Sequence, residues 1–221
     1  MCGRYALYGP HSRYRQHFGV GNDFDFAPRF NVAPSAVMPV VRQIEGQRIF
    51  VPAKWGLMSS WVKDDMPKPI NAKAETAAIK PMFRHAFRKS RVLVPADAFY
   101  EWKLIDGKKQ PYLIRLRGGE PLGMGGLLEH WAGPDGEVLT FAVLTTEPNV
   151  LMAESHDRMP AIVRPEDYAR WRDPGTDDFA ELQAMIGPYP ERLMEAYPVS
   201  RKVNSPANEG SNLLEPLDAN I

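Results

Sequence analysis

The chain has 221 residues, of which 44% are apolar and 24% charged, and its 27 basic residues balance its 27 acidic ones. These values favour one domain with a sizeable core. They exclude wholesale disorder and a chain-wide charge that attracts nucleic acids or membranes. The single cysteine, Cys2, excludes an internal disulfide and the paired cysteines of structural zinc sites.

Strand patterns dominate the first two-thirds of the chain, at 37–41, 48–57, 91–95, 99–104, 111–117 and 138–145. In the fifth stretch Tyr112, Ile114 and Leu116 recur at every second position, the period of a strand with one buried face. The sixth stretch is apolar almost throughout, which is typical of a central strand.

Helical patterns are fewer. Residues 75–89 are good helix formers except for Pro81, which should start or kink a helix. Shorter helices are predicted at 150–155, 164–173 and 176–187, where Phe179, Leu182, Met185 and Ile186 form an apolar stripe. This order predicts an α+β fold with a mostly antiparallel, curled and barrel-like sheet, flanking helices and one domain over residues 1–221.

Neither export nor membrane insertion is expected. The N-terminus has no signal-peptide pattern, and no apolar run approaches the roughly 18 residues that span a bilayer. We therefore expect a cytoplasmic protein, associated with the nucleoid if the source is bacterial. A monomer is also expected. No metal-ligand spacing, phosphate loop or dinucleotide fingerprint occurs, so neither a metal nor a cofactor is predicted.

Cys2 directly follows the initiator methionine. Methionine aminopeptidases act when the second residue is small, so that enzyme is an expected maturation partner. Its action would leave an amine and a thiol on adjacent carbons, with ordinary pKa values of about 8 and about 8.5. Such a pair can condense with an aldehyde to a Schiff base and then close a thiazolidine ring. The alternative is a small buried apolar cysteine near a frayed terminus.

Seven segments carry a resemblance that covers nearly the whole chain: MCGRY at 1–5, RFNVAPS at 29–35, WGL at 55–57, INAKAET at 70–76, VPADAFYEW at 94–102, HDRMPAIV at 156–163 and VNSPANEGSNLLEP at 203–216. In this order they resemble the SOS response-associated peptidase (SRAP) family. The resemblance implies a sensor of abasic sites that crosslinks the lesion to its N-terminal cysteine and shields it. The expected substrate is single-stranded DNA, with junctions between single-stranded and duplex DNA as an open alternative.

The resemblance also implies catalytic roles for Cys2, Asn71, Glu101 and His156. Glu101 would shuttle protons and His156 would assist opening of the sugar ring, while Asn71 would position the amine or the sugar. From the residues alone other interpretations stay open. Glu101 fits a solvent-facing strand position, His156 a surface or capping position, and Asn71 a helix cap.

Nine residues are expected to contact DNA or line its pocket: Arg4, Asn31, Pro34, Trp61, Lys73, Lys80, Arg84, Thr145 and Arg158. The resemblance implies six of these roles, whereas Arg4 is expected to hold a phosphate because it lies close to Cys2, and Lys80 and Arg84 belong to a basic segment. Trp61 would stack on a base, which tolerates any sequence. Lys73 stands where the family often has arginine, which keeps the charge but loses the bidentate geometry. If residues 73–91 form one helix, its basic side chains share one arc of the surface: Lys80, Arg84, Arg88 and Arg91. The neighbouring arc is apolar and holds Ile79, Met82, Phe83 and Ala86. The alternative is that this basic run is only a solvated helix face.

Two other functions remain open on the sequence. Cys2 would serve equally as the nucleophile of a thiol peptidase that hydrolyses peptides or processes its own chain. A non-catalytic reader of modified bases would bind DNA without using the thiol.

Overall fold

The computed structural model describes residues 2–63, 66–133 and 136–217. The strands are β1 (Tyr5–Leu7), β2 (Arg29–Val32), β3 (Val37–Ile44), β4 (Gln47–Trp55), β5 (Asn71–Lys73), β6 (Arg91–Ala96), β7 (Ala98–Ile105), β8 (Lys108–Leu116), β9 (Leu122–Gly133), β10 (Gly136–Thr146), β11 (Met159–Pro160), β12 (Ile162–Val163) and β13 (Met194–Pro198). The α-helices are α1 (His11–Phe18), α2 (Ala74–Ala77), α3 (Arg84–Lys89), α4 (Val150–Ala153), α5 (Tyr168–Arg172) and α6 (Phe179–Met185). Short 3-10 helices cover Pro165–Asp167, Glu191–Leu193, Arg201–Asn204 and Ser211–Leu213.

Five strands close a ring. β10 pairs with β4 in parallel, and antiparallel pairs then join β4 to β3, β3 to β6, β6 to β9 and β9 back to β10. The short strands β5, β11 and β12 attach to β10 and β9. The interior is filled by buried side chains such as Val41, Leu93 and Phe141. The predicted α+β fold with a barrel-like, mostly antiparallel sheet is therefore confirmed.

A second, fully antiparallel sheet has the order β13-β8-β7-β1-β2. It encloses a smaller apolar cluster that includes Tyr100, Leu113, Val199 and Val203. β1 lies between β7 and β2, with Tyr5 opposite both Phe99 and Val32. This arrangement places the N-terminal strand in the middle of a sheet, where its backbone is held on both sides.

The sequence patterns missed β9. Its segment LGMGGLLEHWAG is rich in glycine, a residue that strands usually avoid. The glycines are needed for close packing: a Cβ on Gly123 would lie 2.6 Å from the Tyr168 ring, and one on Gly126 would lie 2.8 Å from Val94 Cγ2. The glycines therefore lower the β-propensity of β9 but allow neighbouring side chains to pack closely against its backbone.

Residues 75–89, where Pro81 was expected to start or kink a helix, do not form one continuous helix. The segment is divided into α2 and α3, and Pro81 lies in the turn between them. Ile79, expected on the apolar arc, is 71% exposed. Arg91, expected on the basic arc, is buried on β6 and donates to the carbonyl oxygens of Phe87 and Trp171, each at 2.6 Å.

The later helices follow the prediction more closely. α5 buries Tyr168 and Trp171, and α6 buries Leu182 and Met185. Phe179, at the start of the predicted stripe, is instead 44% exposed. No helix in the described part of the chain has the length and apolar character to cross a membrane.

Candidate active site

Cys2 and Asn71 are joined by a hydrogen bond. Asn71 begins β5, which β10 holds in parallel register with Asn71 opposite Val143. Its Nδ2 donates to the carbonyl oxygen of Cys2 at 2.9 Å. Its Oδ1 is buried and accepts no hydrogen bond within the described residues. Asn71 thus fixes the backbone of Cys2 and keeps one acceptor for a ligand.

The thiol of Cys2 has no exposed surface. Burial, together with the nearby negative charge of Glu101, raises the pKa of this thiol to about 12. The thiol is therefore neutral near pH 7 and needs a base to accept its proton before it can react. Met1, whose removal the sequence predicts, lies outside the described residues.

Glu101 is a candidate for such a base, because its charge acts on the thiol of Cys2. It lies on β7 opposite Tyr112 and is only 3% exposed. Burial raises its pKa from the ordinary 4.5 to about 7, because a charged carboxylate is poorly solvated there. A carboxyl group with this pKa is partly protonated at neutral pH and can both donate and accept a proton.

His156 approaches from the loop after α4. Asn149 caps this helix by accepting from the Met152 amide, and the His156 amide donates to the Met152 carbonyl at 2.9 Å. His156 Nδ1 accepts from the Arg158 amide at 3.0 Å and lies 2.7 Å from Asp157 Oδ1. Burial lowers the pKa of His156, so the ring is neutral at pH 7 and able to accept a proton.

A cleft of about 510 Å³ opens beside Glu101 and His156 and is lined by Glu101, Trp102, Lys109, His156 and Asn204. Sequence reasoning found only Glu101 and His156 in this set. Trp102 was interpreted as an apolar neighbour of Glu101, whereas its Nε1 donates to Asn204 Oδ1 at 2.7 Å inside the cleft. Asn204 lies in VNSPANEGSNLLEP, one of the family-like segments, and this was the available signal.

Another cavity, of about 230 Å³, lies between α3 and α6 and is lined by apolar side chains that include Ile79, Phe87 and Leu182. None of the four predicted catalytic residues lines it. No group of three or more histidine, cysteine or acidic side chains suited to a metal occurs among residues 2–63, 66–133 and 136–217. We therefore place the candidate site at the cleft beside Cys2.

The predicted DNA-contacting residues fall into two groups. Pro34, Trp61, Lys73, Lys80 and Arg84 are exposed, with Trp61 at 56%. They are accessible to a nucleic acid, and their roles stay predictions.

Arg4 and Asn31, in contrast, lie beneath the surface. Arg4 NH1 donates to Asn31 Oδ1 at 2.7 Å and to the Val203 carbonyl at 2.9 Å. Asn31 Nδ2 donates to the carbonyl oxygens of Ser205 and Asn208. Both side chains are buried and hold the 203–208 segment against β1 and β2, and their expected contact with DNA stays a prediction.

Thr145 and Arg158 are also occupied within the protein. Thr145 is 1% exposed, with its hydroxyl 3.5 Å from the Ala72 carbonyl. Arg158 forms a bidentate pair with Glu75 at 2.9 and 2.8 Å and donates to the Thr145 carbonyl. This pair joins the start of α2 to the His156 loop, and the expected contacts of Thr145 and Arg158 with DNA stay predictions.

Comparisons with known proteins agree with this geometry. The family model described as SOS response associated peptidase (SRAP) matches residues 1–206. The chain is 39% identical to the abasic site processing protein YoqW of Bacillus subtilis, over 97% of this chain and 99% of that protein. It is 30% identical to the abasic site processing protein YedK of Escherichia coli, over 98% of this chain and 100% of that protein. A crystal structure of a protein from Bacteroides thetaiotaomicron shares the fold, with a TM-score of 0.87 at 23% identity, over 98% of this chain and 100% of that one.

Proposed function

Because this chain belongs to the SOS response-associated peptidase family, we propose that it processes abasic sites in single-stranded DNA by bonding covalently to them through Cys2. The observation that carries the proposal is the meeting of Cys2 with Asn71 and Glu101 beside the cleft that Glu101 and His156 line. Removal of Met1 converts the Cys2 amide nitrogen into an amine, and this maturation step belongs to the proposal.

The electrophile is the C1′ aldehyde of the abasic deoxyribose, which exists in equilibrium with a closed hemiacetal. His156 lines the cleft and is neutral at pH 7, because burial lowers its pKa. It accepts the proton of the C1′ hydroxyl and returns a proton to O4′ as the ring opens. General acid–base assistance of this kind contributes about 10²- to 10⁴-fold in rate.

The amine then attacks C1′. The carbinolamine that results loses one water molecule and becomes an imine, with protons passing through Glu101. The thiol next adds to the imine carbon, its proton moves by way of Glu101 to the nitrogen, and a five-membered thiazolidine closes. The net change is one new C–N bond, one new C–S bond and the loss of one water.

The pKa values support this order. The thiol, with a pKa of about 12, is a poor first nucleophile at neutral pH, whereas an α-amine with an ordinary pKa of about 8 is partly unprotonated. Glu101, with a pKa of about 7, is suited to take the thiol proton at the second step. Asn71 holds the Cys2 carbonyl and thereby orients both nucleophilic atoms.

The exposed side chains of Trp61, Lys73, Lys80 and Arg84 would receive the flanking strand. Stacking on Trp61 and charge attraction by the basic side chains carry no sequence preference, as a lesion sensor requires.

A denaturing gel tests the proposal. Protein that lacks Met1 is incubated with a single strand that contains one abasic site, and we expect an adduct that survives heating. Cys2→Ala keeps the amine but removes the sulfur, so its imine should appear only after reduction with borohydride. An equal heat-stable yield from Cys2→Ala would refute the ring closure. DNA binding without any adduct would favour a non-covalent reader, and release of a peptide without DNA would favour a thiol peptidase.

A further inference from the structure

Three of the five residues that line the cleft have no role in the chemistry above: Trp102, Lys109 and Asn204. The β7–β8 hairpin pairs Trp102 with Pro111 and Leu104 with Lys109. Directly paired residues and residues two apart on a strand share a face of the sheet. Lys109 therefore stands on the same face as Trp102, and both residues line the cleft.

The charge of Lys109 is not compensated within the described residues. Its side chain is exposed, and no hydrogen bond or ion pair joins its amine to another described residue. Three other cations near the site are engaged within the protein: Lys103 with Glu154 at 2.8 Å, Arg158 with Glu75, and Arg4 with Asn31. Lys73, two residues after Asn71, is exposed and is assigned above to the flanking strand. A negative group that enters the cleft thus meets an available cation at Lys109.

The neighbouring aromatic ring is held in place. The only N–H of the Trp102 ring is satisfied by Asn204 Oδ1, and the half-buried ring packs against the smaller apolar cluster of the second sheet. Its remaining exposed surface is left for apolar contact and stacking. Asn204 ends the 3-10 helix Arg201–Asn204, which Arg4 ties to β1 through the Val203 carbonyl. The position of the Trp102 ring is consequently fixed relative to β1, the strand that follows Cys2.

Every sugar in a DNA strand is flanked by two phosphates. When the abasic C1′ reaches Cys2, a flanking phosphate must lie outside the buried pair of Cys2 and Glu101, toward the exposed rim of the cleft. We propose that Lys109 binds this phosphodiester and that Trp102, positioned by Asn204, covers the adjoining sugar or base. This assignment rests on the proposed function and names the subsite that sets the lesion against Cys2.

The test measures non-covalent affinity for a single strand that carries a tetrahydrofuran abasic analogue, which lacks the C1′ hydroxyl and forms no aldehyde. Lys109→Met is compared with Lys108→Met, its matched control. Lys108 is equally exposed and adjacent in sequence, but it points to the opposite face of β8. Affinities are taken between about 50 and about 200 mM salt, the range in which released counterions dominate. Lys109→Arg keeps the charge and should restore binding.

Loss of one phosphate contact lowers the slope of log affinity against log salt by about 0.7 for a single strand. We expect this change, with roughly fivefold weaker binding at low salt, for Lys109→Met but not for Lys108→Met. Equal slopes for the two variants overturn the assignment, even when both still form the covalent adduct with a natural abasic site. If wild-type protein binds but never forms that adduct, the proposed function fails instead, while a slope change confined to Lys109→Met still supports the phosphate contact.

Discussion

Glu101→Gln should make the protein more stable at alkaline pH while it removes the proton shuttle. The pKa of Glu101 rises from 4.5 to about 7 on folding because the carboxylate is buried. A difference of one pKa unit corresponds to about 1.4 kcal/mol, so the charged form costs the folded state about 3 kcal/mol. Glutamine has nearly the same shape and carries no charge, so this cost disappears in the variant.

The sign follows from proton binding. Between pH 4.5 and about 7 the folded chain keeps a proton on Glu101 that the unfolded chain has lost, so wild-type stability falls as the pH rises through this range. Below pH 4.5 Glu101 is protonated in both the folded and the unfolded chain, so its burial should cause little difference in the free energy of unfolding between wild type and Glu101→Gln. Above pH 7 the variant should be more stable by about 3 kcal/mol, which for a chain of this size corresponds to about 6 to 12 °C in Tm.

The assay is urea or thermal unfolding of both proteins at pH 4 and pH 8.5, paired with the rate of adduct formation. The adduct rate of Glu101→Gln should fall by about 10²- to 10⁴-fold. If the difference in stability between the two proteins is the same at both pH values, the burial argument for Glu101 is wrong. If the adduct rate does not change, Glu101 is not the proton shuttle.

Three further substitutions probe the surroundings of the site. Trp61→Ala should weaken single-strand binding by about 1 to 3 kcal/mol without lowering Tm, because the exposed ring contributes by stacking on a base. Fluorescence titration with a single strand measures this loss, and Trp61→Phe should keep part of the affinity. Glu75→Gln breaks the ion pair with Arg158 beside the His156 loop, so it should slow adduct formation and lower the free energy of unfolding by about 1 kcal/mol. A single-turnover rate of adduct formation that matches wild type would contradict this role of the pair. Asn31→Ala should lower the free energy of unfolding by about 2 to 4 kcal/mol in urea, because it leaves buried donors and acceptors without hydrogen-bond partners. An unchanged unfolding midpoint would contradict the buried role of Asn31.

The sequence predicted those parts of the fold that local patterns specify. Period-2 alternation located β8, and the apolar run located β10, because each strand carries its own burial pattern. β9 was missed because its glycines serve neighbours that lie far away in sequence, such as Tyr168 against Gly123. Pro81 marked a break, but its flanking residues did not reveal that the helix would resume only at Arg84.

For the site, the sequence pointed to individual residues but did not reveal the surroundings of each side chain. Cys2 and Glu101 were singled out, and the structure brings them together. Asn31, expected to contact DNA, also donates to carbonyl oxygens more than 170 residues away, and no local pattern reveals such a contact. Lys109 was not singled out, because a lysine beside a hairpin turn looks like any solvated charge until the cleft is seen.

The central claim is tested most directly by the intact mass of the adduct formed with an abasic oligonucleotide. The account predicts one species whose mass is the chain without Met1, plus the oligonucleotide, minus one water. An adduct that retains Met1, or one whose bond maps to a residue other than Cys2, would contradict it.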